Sequence, residues 1–224
     1  MDTLIYAVIA VLYLLLLIYG FALWKREDRH GPRYLLFLLT AALVWDNGIM
    51  ALGTTLDEGE LLKGLNVVRF WLHAFCTPLL AWISLDLIRQ AGSPWAQKPL
   101  AGWMFVLYTA ALILLELAKQ TLSLVLEPVR EYGALRYVPA EEASGPPLMF
   151  ILVMIPLFAA GIILWKRKVT PVLFWGSLLM IAGSLIPFDL ESSAITNIFE
   201  LLLIGSIWMA ISRLANRRTG LSYR

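Results

Sequence analysis

The chain has 224 residues, 60% of them hydrophobic and only 15% charged, with a formal net charge of +2. A soluble domain of this length carries roughly a quarter charged residues. The deficit, nine tryptophans and a series of long apolar runs place the chain among membrane proteins and leave no stretch for a separate soluble domain. No basic face of the kind that binds nucleic acid is present, so the expected partners are the lipid bilayer and a small-molecule ligand. Cys76 is the only cysteine, which excludes an internal disulfide and a cysteine-based metal cluster.

Taken in order, the apolar runs predict an all-α, polytopic protein: one domain, 1–224, of seven transmembrane helices. The spans fall at about 4–24, 34–54, 61–88, 94–117, 147–165, 171–186 and 194–214. The first run has no basic stretch before it and no A-x-A-like site after it, and Lys25 and Arg26 close it, so it reads as a span rather than a signal peptide. The third is long enough to tilt or to project from the bilayer. Ser93-Pro94 and Thr170-Pro171 are helix-start signals, a capping hydroxyl followed by a proline at the first helical position. Pro78, Pro156 and Pro187 mark bends. Gly176, Ala182, Gly183 and Ser184 make the sixth span the small-residue helix, suited to close helix contact.

The long connection 119–146 holds two segments, 123–132 and 134–138, on either side of Gly133. These predict a short β-hairpin lying as a lid over the outer face, with Pro128 as its weak point and an ordinary solvated loop as the competing reading. Leu23-Trp24-Lys25-Arg26 and Leu164-Trp165-Lys166-Arg167 echo one another, as do Asn66-x-x-Arg69 and Asn197-x-x-Glu200. That is a faint sign of a three-helix repeat, and equally what any span looks like where it leaves a membrane on its basic side.

Orientation follows from charge. With seven spans, thirteen of the eighteen basic residues fall on one side: Lys25, Arg26, Arg29, Arg33, Arg89, Lys98, Lys166, Arg167, Lys168, Arg213, Arg217, Arg218 and Arg224. The opposite loops carry Asp57, Glu58, Glu60, Glu127, Glu131, Glu141, Glu142, Asp189 and Glu191. The positive-inside rule then predicts a multi-pass protein of the cell membrane with its N-terminus outside and its C-terminus cytoplasmic.

Within this apolar frame the third span carries Asn66, Arg69, His73 and Thr77 at steps of three and four, which form one polar stripe on a helix. A charge facing lipid is costly, so the stripe should face the bundle interior or a wet cavity. At a rise of about 1.5 Å per residue, Asp46 and Arg69 lie roughly 12 Å below the outer surface, His73 roughly 18 Å and Glu200 roughly 9 Å. Asp46, Asn47, Asn66, Arg69, His73, Thr77, Asn197 and Glu200 are therefore the candidate substrate-binding residues of an outward-facing pocket with His73 at its floor. Arg69 is expected to pair with Asp46 or Glu200. Asp86 and Arg89 are the next ionisable groups, near the inner end, and Glu116 is expected to snorkel to water at the outer end of span four.

No metal and no cofactor is expected. His73 is the only histidine within a span, with no second histidine at ligand spacing and Arg69 one turn away to repel a cation; His30 lies in a basic inner loop. Span seven has no lysine for a retinal Schiff base. Three functions fit. The first is binding, and in its fuller form transport, of a small polar or anionic molecule. The second is an intramembrane hydrolase or transferase acting on a lipid-type substrate from the outer side, with His73 and Asp46 as general base and orienter; Cys76 or Thr77 beside His73 is a weaker, nucleophilic version of it. The third is a sensor or assembly subunit whose polar cluster only holds helices together.

Overall fold

The structure, a computed structural model, describes residues 1–25, 31–140, 148–185 and 192–218. Several residues used above, namely Arg26, Arg29, His30, Glu141, Glu142, Pro187, Asp189, Glu191 and Arg224, lie outside the described residues. The elements are helices α1 (Asp2–Trp24), α2 (Leu36–Leu56), α3 (Glu60–Cys76), α4 (Leu79–Gln90) and α5 (Pro99–Glu116), strands β1 (Leu126–Glu131) and β2 (Ala134–Pro139), and helices α6 (Leu148–Lys166), α7 (Val172–Leu185) and α8 (Ile195–Arg218).

Six helical segments are long and apolar enough to cross a membrane, with α3 and α4 together forming one of 31 residues; α7 is a shorter apolar helix. The outward faces agree with that reading. Leu4, Val8, Val11, Leu15 and Ile18 on α1, and Leu100, Trp103, Met104, Leu107 and Leu114 on α5, are all more than half exposed or close to it. Apolar surface on this scale is unfavourable in water and suited to lipid. The protein is a multi-pass, all-α membrane protein with one small β-hairpin.

The core is built around α4, where every residue from Leu80 to Ile88 except Trp82 is buried. It contacts α5, α6, α2 and α8, while α1 lies along α2 and α7 along α8. Trp208 of α8 is fully buried; its indole leaves no room for a side chain at Gly20 of α1, and its Nε1 donates to Thr40 Oγ1 of α2 at 3.1 Å. The small residues of α7 act as expected: a Cβ at Gly176 would strike Ser206 and one at Gly183 would strike Phe199, both on α8.

Three boundaries differ from expectation. The third predicted span is interrupted at Thr77-Pro78, because Pro78 has no N–H to continue the ladder and the chain restarts with Leu80 N–H on Thr77 O at 3.1 Å. The fourth helix starts at Pro99, not Pro94. Trp95–Gln97 form only a 3-10 turn, and Lys98, extended with ψ 139° as residues before proline tend to be, is the real helix cap. Glu116 is buried rather than snorkelled; the helix widens into a π-helical turn, Leu117–Thr121, just beyond it.

The hairpin exists. Tyr132 and Gly133 form its two-residue turn with φ of 49° and 83°, the left-handed pair that matches the strand twist. Pro128 is accommodated because both strands of a two-stranded sheet are edges. β2 docks on α2 so closely that the Leu135 carbonyl occupies the space a Cβ at Gly53 would take. The Met1 ammonium and the Asp2 N–H both donate to Tyr132 O, at 2.8 and 3.1 Å. The Asp2 carboxylate accepts from Ser192 and Ser193 ahead of α8, the closest bond being 2.6 Å from the Ser193 N–H. One end of the bundle is thus tied together by the hairpin, the start of α1 and the start of α8. At the other end Arg33 pairs with Asp86 at 3.1 Å across 53 residues of chain, and Gln90 Nε2 donates to the same carboxylate at 2.8 Å.

Gly53→Ala should therefore expel β2 from α2 and lower stability by roughly 1–3 kcal/mol, the usual cost of overpacking. Gly48→Ala, on the same helix with nothing within 4 Å of the added Cβ, should be neutral or mildly stabilising, by about 0.5–1 kcal/mol. Melting temperatures in detergent, with proteolysis at Arg130 and Arg136 reporting release of the hairpin, check both.

Candidate functional site

The polar residues named from sequence converge in the hairpin-end half of the bundle. Arg69 Nε of α3 lies 3.2 Å from Asp46 Oδ1 of α2, with the two side chains 10% and 23% exposed. Asn197 of α8 donates through Nδ2 to Asp46 Oδ2 at 3.4 Å and to Asn47 Oδ1 at 3.1 Å. Asn47 donates in turn to Leu43 O at 3.0 Å, so its amide is oriented by its own helix. The neighbouring helices α2 and α3 and the sequence-distant α8 are joined through four side chains, in a region where each unpaired polar group would cost several kcal/mol.

The same stripe holds the hairpin. Asn66 Oδ1 accepts the Tyr137 N–H at 3.4 Å while Arg69 Nη2 donates to the Tyr137 carbonyl at 3.4 Å. Two side chains one turn apart on α3 thus satisfy both backbone groups of one β2 residue, much as a neighbouring strand would. Asn66 is steadied by a bond from Nδ2 to Leu62 O at 2.8 Å, and Tyr137 Oη reaches Gly59 O at 3.4 Å. Arg69 completes its surroundings with the Met50 sulfur and the face of Phe70, 4.7 Å from its guanidinium carbon.

His73 behaves differently from the rest of the stripe. Counting 100° per residue, it shares the face of Leu62, Asn66, Arg69 and Cys76, all buried, and points away from Leu61, Gly64, Val68 and Phe75, which are exposed. Yet His73 itself is exposed, although it lies on the inward face. It also lines a narrow fissure between α2 and α3, with Leu39, Ala42, Leu43, Asp46, Arg69, Cys76 and Thr77, whose volume of about 10 Å³ is close to the minimum for one water. The His73 imidazole makes no hydrogen bond to a described residue, and Thr77 Oγ1 is buried without a partner.

Glu200 of α8 is half-buried, senses the charge of Asp46, and forms no ion pair or hydrogen bond with a described residue. Tyr13 of α1 lies close enough to interact with both carboxylates; it is fully buried and its hydroxyl has no partner. The cluster therefore has two carboxylates against one guanidinium, with three groups (the Glu200 carboxylate, the Tyr13 hydroxyl and the Thr77 hydroxyl) whose hydrogen-bonding capacity is unused. Sequence reasoning missed Tyr13, Met50 and Tyr137. Tyr13 stands in a wholly apolar run where one tyrosine is unremarkable, and Met50 and Tyr137 contribute only through the fold. Among the described residues no three His, Cys, Asp or Glu side chains gather as a metal site would require. The chain matches no protein-family model, and comparison with curated proteins finds no match.

Removing one partner of a buried ion pair strands the other charge, which costs about 3–5 kcal/mol. Arg69→Met and Asp46→Leu should each destabilise the protein by about that much, and the double variant by clearly less than the sum. A double-mutant cycle from denaturant or thermal unfolding measures the difference.

Proposed function

We propose that the chain crosses the membrane seven times, with the hairpin and the N-terminus outside, and that the cluster is a binding site for a small polar molecule entering from the hairpin side. The carrying observation is His73, an accessible imidazole on the buried face of α3, beside polar groups that have no partner. A purely structural cluster would pair such groups with one another, as Asp46, Arg69, Asn47 and Asn197 are paired; ionisable groups kept inside a membrane without that pairing are characteristic of ligand or ion sites.

The roles follow from the bonding. Arg69 and Asn66 hold the hairpin, so binding of a ligand is coupled to the position of the lid. Glu200, Tyr13, Thr77 and His73 supply the free donors and acceptors. With the Arg69 charge taken by Asp46, a ligand carrying hydrogen-bond donors or a positive charge meets free carboxylate oxygen directly, whereas an anionic ligand has to displace Asp46 from Arg69. The route to the opposite end is closed by the apolar α4 core, which supports binding over transport. The hydrolytic alternative needs Asp46 to orient His73, and both Asp46 oxygens are engaged elsewhere.

Two measurements test this reading. Screening amines, amino acids, sugars and small anions by thermal shift should yield a ligand that raises the melting temperature of the wild type in a concentration-dependent way and loses its effect in Glu200→Gln and His73→Ala. If no polar ligand stabilises the folded protein, the binding reading fails. For topology, single cysteines at Glu127 and Lys98, in a protein carrying Cys76→Ser, should react with an impermeant reagent from outside and from inside respectively in intact cells and inverted vesicles. The reverse pattern refutes the orientation.

A further inference from the structure

At the end opposite the hairpin, the turn after α4, the end of α6 and the end of α8 enclose an open depression of about 480 Å³, lined by Gln90, Ala91, Gly92, Lys166, Arg167 and Arg217. That volume lies in the range of small-ligand sites. Of these described lining residues three are cationic, and none is acidic.

The way the arginines are held sets this depression apart from a generally basic surface. Arg167 Nη1 donates to Gly92 O at 2.9 Å, and Arg217 Nη1 donates to Arg167 O at 3.2 Å. Both guanidiniums are fixed by neutral backbone carbonyls, and no ion pair involves either with a described residue. Neither bond offsets the guanidinium charge, and among the described residues nothing else engages their remaining N–H donors. Gly92, at φ 80°, permits the turn that presents its carbonyl to Arg167. The nearest carboxylate on α4, Asp86, is already engaged by Arg33 and Gln90. Trp165, next to Lys166 and nearly half exposed, is the residue type that gathers at the boundary of a bilayer.

We infer that this depression binds a phosphate group, held by Arg167 and Arg217 through paired N–H donors and by Lys166 as a point charge. Two immobilised guanidinium forks match the geometry of a phosphate oxyanion. A basic recess between helix ends at the bilayer boundary is where the headgroup of an anionic phospholipid is placed by its own acyl chains. A soluble phosphate would satisfy the same donors. The site is separate from the His73 cluster and does not rest on it.

The test is native mass spectrometry of the full chain in mild detergent, titrated with phosphatidylglycerol and with phosphatidylcholine, alongside calorimetric titration with inorganic phosphate. If the headgroup is the ligand, phosphatidylglycerol binds in preference to phosphatidylcholine. Each cation removed weakens it about fivefold, from about 1 kcal/mol per basic residue near an anionic surface. Arg167→Gln with Arg217→Gln then binds about 25-fold more weakly on the same scale. Lys98→Gln, an exposed cation at the same end but outside the depression, binds as wild type does. Lys166→Gln, whose side chain holds no backbone bond, gives the single fivefold step without risk to folding. Binding of inorganic phosphate with the same variant dependence, and no preference among lipids, supports the site with a soluble source. The inference is overturned if neither phosphatidylglycerol, in preference to phosphatidylcholine, nor inorganic phosphate binds, or if the binding seen is indifferent to the Arg167, Arg217 and Lys166 changes.

Discussion

Arg69 carries a permanent charge into a region built for hydrocarbon, and much of the hairpin-end half of the molecule can be read as the means of accommodating it. Its Nε pairs with Asp46, one terminal nitrogen bonds the Tyr137 carbonyl, the other meets Met50, and its plane lies against Phe70. Those contacts come from α2, α3 and β2, so the guanidinium is satisfied only when all three are assembled. In a low-dielectric setting such a charge acts as a registration device: misplacing any partner leaves it uncompensated. Asn66 then fixes the strand from one turn away, and the strand fixes the start of α1 through Tyr132.

The opposite end uses the same physics for a different result. Arg33 and Asp86 also form a buried pair, in which Asp86 Oδ2 accepts from the Arg33 backbone N–H, the Arg33 guanidinium and Gln90, and the surrounding α4 core is buried. The contrast lies in the second carboxylate of the hairpin end: Asp86 collects three donors at one oxygen, although Gln90 Oε1 beside it is unpaired, whereas Glu200 has no partner among the described residues. In the hairpin-end cluster Glu200, Tyr13 and Thr77 keep unused capacity, and the imidazole lines a narrow fissure.

Much of this was legible in the sequence, for identifiable reasons. Apolar runs of membrane length announce helices whatever their neighbours, and the i, i+3, i+4 spacing of Asn66, Arg69 and His73 places them on one face without any tertiary knowledge. Gly133 between two alternating segments announced the hairpin. The Asp46–Arg69 pair was legible because their depths along opposite helices match. What stayed hidden depends on neighbours. Arg33 read as one more basic loop residue, since nothing local shows that Asp86, far along the chain, will reach it. The start of α5 was misplaced because two Pro signals compete, and Lys98 before Pro99 decides in favour of the second. Tyr13 gave no signal, because a tyrosine in an apolar helix acquires importance only from what faces it.

The hairpin-end cluster is proposed to be a wet site open to the outside rather than a sealed structural knot. The most direct measurement is the reactivity of a cysteine at the floor of the fissure, His73→Cys, in a protein carrying Cys76→Ser and reconstituted in vesicles. It would be probed from each side with a charged, impermeant thiol reagent and with a membrane-soluble maleimide. For a wet site, the charged reagent modifies this cysteine from the hairpin side alone. Reaction with the membrane-soluble reagent only would mean that the position faces lipid and that the cluster is no outward-facing site.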